Sequence, residues 1–174
     1  MGSRGPDSGG PGREDPSVRR PIRRAGRVRE RTVPWATRVV VDASVAVKWI
    51  LPERGSDDAR RLYLKVVEGE LQLLAPELLR VEVAGALLRS RLGDARLVEE
   101  EIREIEDIGI QYHPVSADLM VRAVRIAGDR KLQAADAAYA ALAEQSGCIV
   151  VTADDEMTRR LAPTRLAVRL SALR

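Results

Sequence analysis

The sequence contains few of the side chains that most often carry covalent or zinc chemistry. Its 174 residues include one cysteine, Cys148, one histidine, His113, and no phenylalanine. A single cysteine excludes an internal disulfide and a zinc site built from several cysteines. Cys148 lies in the apolar run CIVV, which is typical of a small buried side chain rather than of a nucleophile. Any catalysis must therefore depend on carboxylates and hydroxyls.

Long apolar runs and aromatic residues are also scarce. Apolar residues make up 45% of the chain, but no uninterrupted run is long enough to span a bilayer, which predicts a soluble protein with no membrane partner. No apolar signal-peptide core precedes the first predicted strand, so we expect a cytoplasmic protein. The aromatic content of 3% argues against extended base stacking on a nucleic acid.

Charge is distributed unevenly along the chain. Residues 1–38 hold ten Arg and four acidic residues, a net charge of +6, whereas the remainder holds 19 basic and 22 acidic residues, a net charge of −3. The first segment is rich in Arg, Gly and Pro without apolar periodicity, which predicts a disordered tail followed by one folded domain, 39–174. The tail has two open interpretations, a basic arm for a nucleic-acid backbone or a leader outside the folded unit.

Apolar strand patterns alternate with helical patterns from Val39 onward. The run VVV shows no polar alternation, which is typical of a strand covered on both faces. LQLLAP is predicted to be a short second strand, and CIVV a further buried strand. Segments with helical spacing lie between them, and Ser56 and Ser116 are predicted helix N-caps. The sequence therefore predicts an α/β fold, a three-layer α/β/α sandwich with a mostly parallel sheet of four or five strands.

Four carboxylates occur where local propensity disfavours them. Asp42 ends the first strand, Asp154 follows CIVVTA, Glu82 interrupts an apolar helix and Asp136 interrupts the Ala-rich segment AADAAYAALA. Each carboxylate also has a purely structural interpretation. Glu82 could extend into solvent, and the others could be helix caps, namely Asp42 (or Ser44), Asp136, and Asp154 (or Asp155).

A shared site explains all four carboxylates together. The carboxyl ends of parallel strands lie at the sheet edge where ligands bind, so Asp42 and Asp154 would meet there if their strands are neighbours. Glu82 and Asp136 could approach the same edge from helices. Four such groups raise one another's pKa values unless cations neutralise them, and an oxygen-only set favours Mg²⁺ or Mn²⁺. This pattern predicts metal-dependent phosphoryl chemistry.

Four segments in this order and spacing resemble the PIN-domain ribonucleases, and among them the VapC-type toxins of bacterial toxin–antitoxin pairs: VVVDASVAVKWILPE, LLRVEVAGAL, LQAADAAYAALA and CIVVTADDEM. The resemblance implies a PIN-like nuclease domain over 39–174. It implies that the catalytic, metal-binding acids are Asp42, Glu82, Asp136 and Asp154. It also implies an endoribonuclease that cleaves RNA with Mg²⁺, or alternatively Mn²⁺, a cognate antitoxin that covers the groove, and a homodimer.

Further residues near these acids are candidates for supporting roles. Ser44 and Thr152 match the small hydroxyl positions that accompany the first and last acids of the family. The doublet Asp154-Asp155 leaves the register of the last ligand open, although the spacing from Thr152 favours Asp154, with Asp155 as a supporting residue or cap. Candidate phosphate contacts, which are alternatively ordinary surface charges, are Lys48, Arg89, Arg91 and either Arg130 or Lys131.

Two other functions remain open at this point. A phosphatase or phosphotransferase of the haloacid-dehalogenase type also begins with a strand that ends in Asp, but it needs a second Asp where this chain has Ser44. A catalytically silent domain of the same fold would act as a scaffold or RNA-binding module. Such a domain should be indifferent to divalent ions, whereas a nuclease should require them.

Overall fold

The computed structural model describes residues 37–91 and 93–173, and its centre is a sheet of five strands. The strands are β1 (Thr37–Val41), β2 (Leu71–Pro76), β3 (Gln111–His113), β4 (Ile149–Thr152) and β5 (Ala167–Arg169). They are all parallel and lie in the order β3-β2-β1-β4-β5. Helices flank the sheet, so the predicted α/β fold with a parallel sheet is confirmed.

Seven α-helices of the described residues connect these strands. They are α1 (Ala43–Ile50), α2 (Ser56–Val67), α3 (Leu78–Ser90), α4 (Ala95–Glu106), α5 (Ala117–Arg130), α6 (Ala134–Ser146) and α7 (Asp155–Leu161). Short 3₁₀ turns cover Ala162–Thr164 and Leu170–Ala172. No helix among the described residues is long and apolar enough to cross a membrane.

The strand order places a topological switch point beside β1. From β1 the chain proceeds outward through β2 to β3, and it then returns to the other side of β1 to form β4 and β5. Val41 of β1 lies opposite Val151 of β4, and the backbone N–H of Asp42 donates to the Val151 carbonyl oxygen at 3.1 Å. Ligands in open α/β sheets bind at the carboxyl ends of strands that flank such a point. Asp42 lies there.

Apolar side chains with few polar interruptions build the core around this edge. The Val residues of β1 and the Leu residues of β2 are buried, as expected for strands covered on both faces. In α6 every residue of the range 137–143 is buried, and the helix packs on α5, β1 and β2. Small Ala side chains allow this close approach, which brings the first turn of α6 to the sheet.

Local predictions at the helix ends and at the predicted tail have different outcomes. Ser116 is the N-cap of α5, because its hydroxyl accepts from the Leu119 N–H at 3.2 Å, as predicted. Ser56 is not an N-cap, because it is the first residue of α2, and Gly55 precedes it with φ at +92°. Thr37 and Arg38 of the predicted tail belong to β1, and the remainder of that tail lies outside the described residues.

Candidate active site

Asp42 is the centre of a hydroxyl network that joins the ends of β1 and β4. Its side chain is 7% exposed, and its Oδ2 accepts hydrogen bonds from the Thr152 hydroxyl at 2.8 Å and from the Ser44 hydroxyl. Ser44 Oγ accepts in turn from the Ala153 N–H at 3.0 Å, and Thr152 Oγ1 accepts from the Asp154 N–H at 2.9 Å. The two hydroxyls therefore fix the orientation of the Asp42 carboxylate against the neighbouring strand.

Asp154 is both the N-cap of α7 and part of the site. Its Oδ1 accepts from the backbone N–H groups of Glu156 at 2.6 Å and Met157 at 3.1 Å. Asp155 instead forms an ion pair with Arg169 of β5, at 2.8 Å between Oδ1 and Nη1. This geometry favours Asp154 as the acid that belongs to the site.

Glu82 reaches the same region from the middle of α3. Its half-buried carboxylate accepts a hydrogen bond from the hydroxyl of Tyr139, a residue of α6 with no exposed surface. Burial, followed by the bond to Glu82, raises the pKa of Tyr139 above its ordinary value, so the hydroxyl remains a donor. Sequence reasoning missed Tyr139. Its signal was a single large polar side chain within AADAAYAALA, one helical turn after Asp136.

Asp136 is the third residue of α6 and is not its N-cap, because the helix begins at Ala134 and Gln133 precedes it. The side chain is half-buried near the other acids. A carboxylate in a first helical turn is stabilised by the partial positive charge of the helix N-terminus. That location partly offsets the cost of holding Asp136 beside the charges of Asp42 and Asp154.

The four acids form one electrostatic group. Burial raises the pKa of Asp42, although the hydrogen bonds from Ser44 and Thr152 lower it in part. Burial also raises the pKa of Glu82 and that of Asp136, and the charge of Asp42 raises both further. Within the ranges 37–91 and 93–173, no Lys or Arg forms a salt bridge with any of the four. Among the described residues, no side-chain cation therefore compensates the charge of this group.

The chemistry of the donors fits a hard divalent cation. All four candidate ligands are carboxylates, and Mg²⁺ and Mn²⁺ prefer such oxygen donors. The described residues contain no group of three or more His, Cys, Asp or Glu side chains already arranged to hold a metal ion. Mg²⁺ does not require such a group, because it usually keeps several waters and binds through one or two carboxylates. Asp42, Asp136, Asp154 and Glu82 are thus suitable ligands by type and location.

An open cleft of about 580 Å³ is lined by two of the four acids, Glu82 and Asp154, whereas Asp42 and Asp136 are not among its lining residues. Ser44, Glu82 and Asp154 line it together with two cationic side chains, Lys48 of α1 and Arg89 of α3. The walls between them are formed by small or aliphatic residues, namely Ala43, Val47, Val81, Gly85, Ala86 and Ala153, and Glu53 lies at the rim near Lys48. A linear polyanion could enter such a groove without displacing a core element.

Comparisons with known proteins agree with this fold. The PIN domain family model matches residues 39–162. Among solved structures, PAE2754 from Pyrobaculum aerophilum is 26% identical, with a TM-score of 0.55 over 79% of this chain and 94% of that chain. A toxin–antitoxin complex from Klebsiella pneumoniae has the same fold, with 16% identity and a TM-score of 0.56 over 76% of this chain and 97% of that chain.

The comparison with curated protein sequences gives no match. The PIN match nevertheless covers more than half of the chain and includes all four acids of the site. It confirms the resemblance drawn from the four sequence segments at the level of the family. The protein therefore belongs to the PIN domain family.

Proposed function

We propose that this protein is a divalent-metal-dependent endoribonuclease that acts as the toxin of a toxin–antitoxin pair. PIN domains are generally nucleases, and the observation that carries the proposal is the group of four carboxylates at the switch point, which has no basic partner among the described residues. Buried charges in proteins are usually paired with an opposite charge or bound to a metal ion. Asp42 is buried, and its carboxylate accepts from two hydroxyls without a salt bridge to any described Lys or Arg.

Several side chains orient the candidate metal ligands in the proposed reaction. A bound Mg²⁺ or Mn²⁺ supplies charge stabilisation at the phosphodiester and a water of lowered pKa. Ser44 and Thr152 orient Asp42 through one of its oxygens. Tyr139 orients Glu82 in the same way, and the first turn of α7 orients Asp154. Such preorganisation matters because ligands that are already in place need no reorganisation during the reaction.

Toxin activity and its partners are proposed from similarity of fold and sequence. The Klebsiella pneumoniae structure with this fold is a toxin–antitoxin complex, and the sequence segments resemble VapC-type toxins. On that basis the partners are an RNA substrate, a cognate antitoxin that covers the cleft, and a second copy of the chain in a homodimer. We also propose a cytoplasmic location, where such a toxin would meet its RNA substrate.

Cleavage of RNA by the purified protein tests the proposal. Total RNA is incubated with Mg²⁺, with Mn²⁺ and with chelator, using wild type, Asp136→Asn and Asp118→Asn. Asp118 is the matched control, because it also lies in the first turn of a helix, α5, but is exposed and outside the acid group. We expect metal-dependent cutting that Asp136→Asn loses and Asp118→Asn keeps. Folded wild type that cuts no RNA with either ion would favour the catalytically silent alternative.

A further inference from the structure

Lys48 and Arg89 line the cleft, whereas two other arginines near the site bind carboxylates of α4. Arg91 is bonded through Nε to the buried carboxylate of Glu101 at 2.9 Å, and Arg80 forms a bidentate pair with Glu106 at 2.7 and 2.9 Å. These arginines join α3 to α4. Of the five basic residues named as phosphate contacts from the sequence, Lys48 and Arg89 are the two that line the cleft beside the acids.

Arg89 extends along α3 toward the acid group. A Cβ placed on Gly85 would lie 3.3 Å from Nη1 of Arg89, so the guanidinium lies over Gly85, one turn back in the direction of Glu82. Glu82, Gly85 and Arg89 follow helical spacing and line the same cleft. Among the described residues, no carboxylate forms a salt bridge with Arg89, so its charge is available to a ligand.

Lys48 borders the cleft on α1. Its side chain is 13% exposed, and its stem packs over Gly55, where an added Cβ would contact Cδ and Cε at 3.5 Å. The ammonium group is bonded to Oε1 of Glu53 at 2.6 Å, and Glu53 is 45% exposed at the rim. Packing thus holds Lys48 in position. Its ion pair with Glu53 is weak, because solvent screens the exposed carboxylate.

The lining of the cleft determines how a nucleic acid could be bound there. Among the described residues that line it there is no Trp, Tyr or His, so these residues offer bases no stacking platform. The acids at one end repel a phosphodiester chain, so binding requires cations close to them. The available contacts are therefore to phosphates, which position a strand without reading its bases.

We propose that Arg89 and Lys48 form a two-point phosphate clamp, which holds the backbone of single-stranded RNA in the cleft and presents it to Glu82 and Asp154, the two acids that line the cleft. This inference rests on the proposed nuclease function and adds to it the residues that bind the substrate. Glu53 competes with the RNA for Lys48. RNA affinity is therefore set by salt and by the Lys48–Glu53 pair more than by base sequence.

Salt-dependent binding measures the clamp directly. The protein is prepared with Asp136→Asn to prevent cutting, and anisotropy of a labelled single-stranded RNA gives Kd at several salt concentrations with Mg²⁺ present. Each lost phosphate contact should lower the slope of log affinity against log salt by about 0.7, which is about a fourfold loss of affinity at 0.15 M salt. We expect this result for Arg89→Gln and for Lys48→Gln, and recovery of the slope in Arg89→Lys.

Two further variants distinguish loss of the clamp from misfolding and from a change in net charge. Arg122 is exposed on α5 and does not line the cleft, so Arg122→Gln should keep the wild-type slope and affinity. Glu53→Gln frees Lys48 and should tighten RNA binding, a gain that misfolding would not produce. Unchanged slopes in Arg89→Gln and Lys48→Gln, or an equal loss in Arg122→Gln, would overturn the clamp.

The outcomes for the clamp and for the nuclease are distinguishable. Wild type that cuts RNA with metal, combined with unchanged slopes in the two clamp variants, would leave a nuclease whose substrate binds elsewhere. Reduced slopes without any cutting would support the clamp on a catalytically silent domain. Wild type that neither binds nor cuts RNA would overturn both.

Discussion

At the scale of single residues, Asp42 combines a cost to the fold with a candidate role in chemistry. Burial raises the pKa of its carboxyl above the ordinary value of 3.8. The folded state therefore keeps a proton at pH values where the unfolded chain has lost it. As pH rises from about 4 through the raised pKa, the free energy of unfolding of the metal-free protein should fall.

The first prediction concerns Asp42→Asn. Asparagine cannot titrate, so in chelator the variant should match the wild-type unfolding temperature near pH 4 and exceed it near pH 7. RNA cleavage should fall by more than about 100-fold, since loss even of groups that support metal ligands costs 10- to 100-fold. Thermal unfolding at several pH values and a cleavage assay check both effects. A variant less stable than wild type at pH 7 would mean that the carboxylate mainly holds β1 to β4.

Tyr139 gives the second prediction, because its hydroxyl and its ring have separable roles. Tyr139→Phe keeps the buried ring but removes the hydrogen bond to Glu82. We expect a loss of about 1–3 kcal/mol in urea unfolding, as for a buried hydrogen bond to a charged group. We also expect cleavage to fall about 10- to 100-fold if Glu82 needs this bond for its orientation. Unchanged cleavage in the folded variant would assign Tyr139 to packing alone.

At the scale of elements, α7 shows how one side chain can serve structure and site together. Asp154 caps the helix through two backbone N–H groups, which any residue with a suitable side-chain oxygen could do. The third prediction separates the cap, which Asn can also form, from the carboxylate charge, which Asn lacks. Asp154→Asn should retain stability within a few tenths of a kcal/mol but lose RNA cleavage, whereas Asp154→Ala should lose cleavage and about 1 kcal/mol of stability.

The control for this pair is Asp155→Asn. It removes an exposed ion pair with Arg169 and should change stability by less than about 1 kcal/mol with cleavage intact. Urea unfolding and a cleavage assay on the three variants give both quantities. Cleavage lost in Asp155→Asn but kept in Asp154→Asn would reverse the assignment of the last acid.

The sequence predicted the bounds of β2 correctly but placed an N-cap wrongly at Ser56. Strand β2 has the bounds that LQLLAP predicts, because a mostly apolar segment that follows Glu70 and ends in Pro76 has few alternatives. The N-cap at Ser56 was wrong for a local reason: its hydroxyl donates to the Leu51 carbonyl oxygen and accepts from the Glu53 N–H, both at 3.0 Å. The turn before α2 uses the hydroxyl that an N-cap would need.

At the scale of the whole molecule, metal binding and folding should be linked. The acid group repels itself without a cation, so an ion that binds only the folded state stabilises it by mass action. The fourth prediction is that Mg²⁺ at ten times its Kd adds about 1.4 kcal/mol, which raises the unfolding temperature by roughly 3–6 °C. Asp42→Asn should reduce this shift, and Asp118→Asn should keep it. Equal shifts in all three proteins would place the bound ion elsewhere.

The sequence by itself determined the buried strands, the Ala-rich helix and the four acids that local propensity disfavours, because burial and helix or strand propensity act over a few neighbouring residues. Only the tertiary structure decided that Thr152 bonds Asp42, that Tyr139 bonds Glu82, and that Arg89 lines the cleft while Arg91 joins α3 to α4. Such contacts depend on strand order, register and helix packing between segments far apart in the chain, which no local pattern encodes.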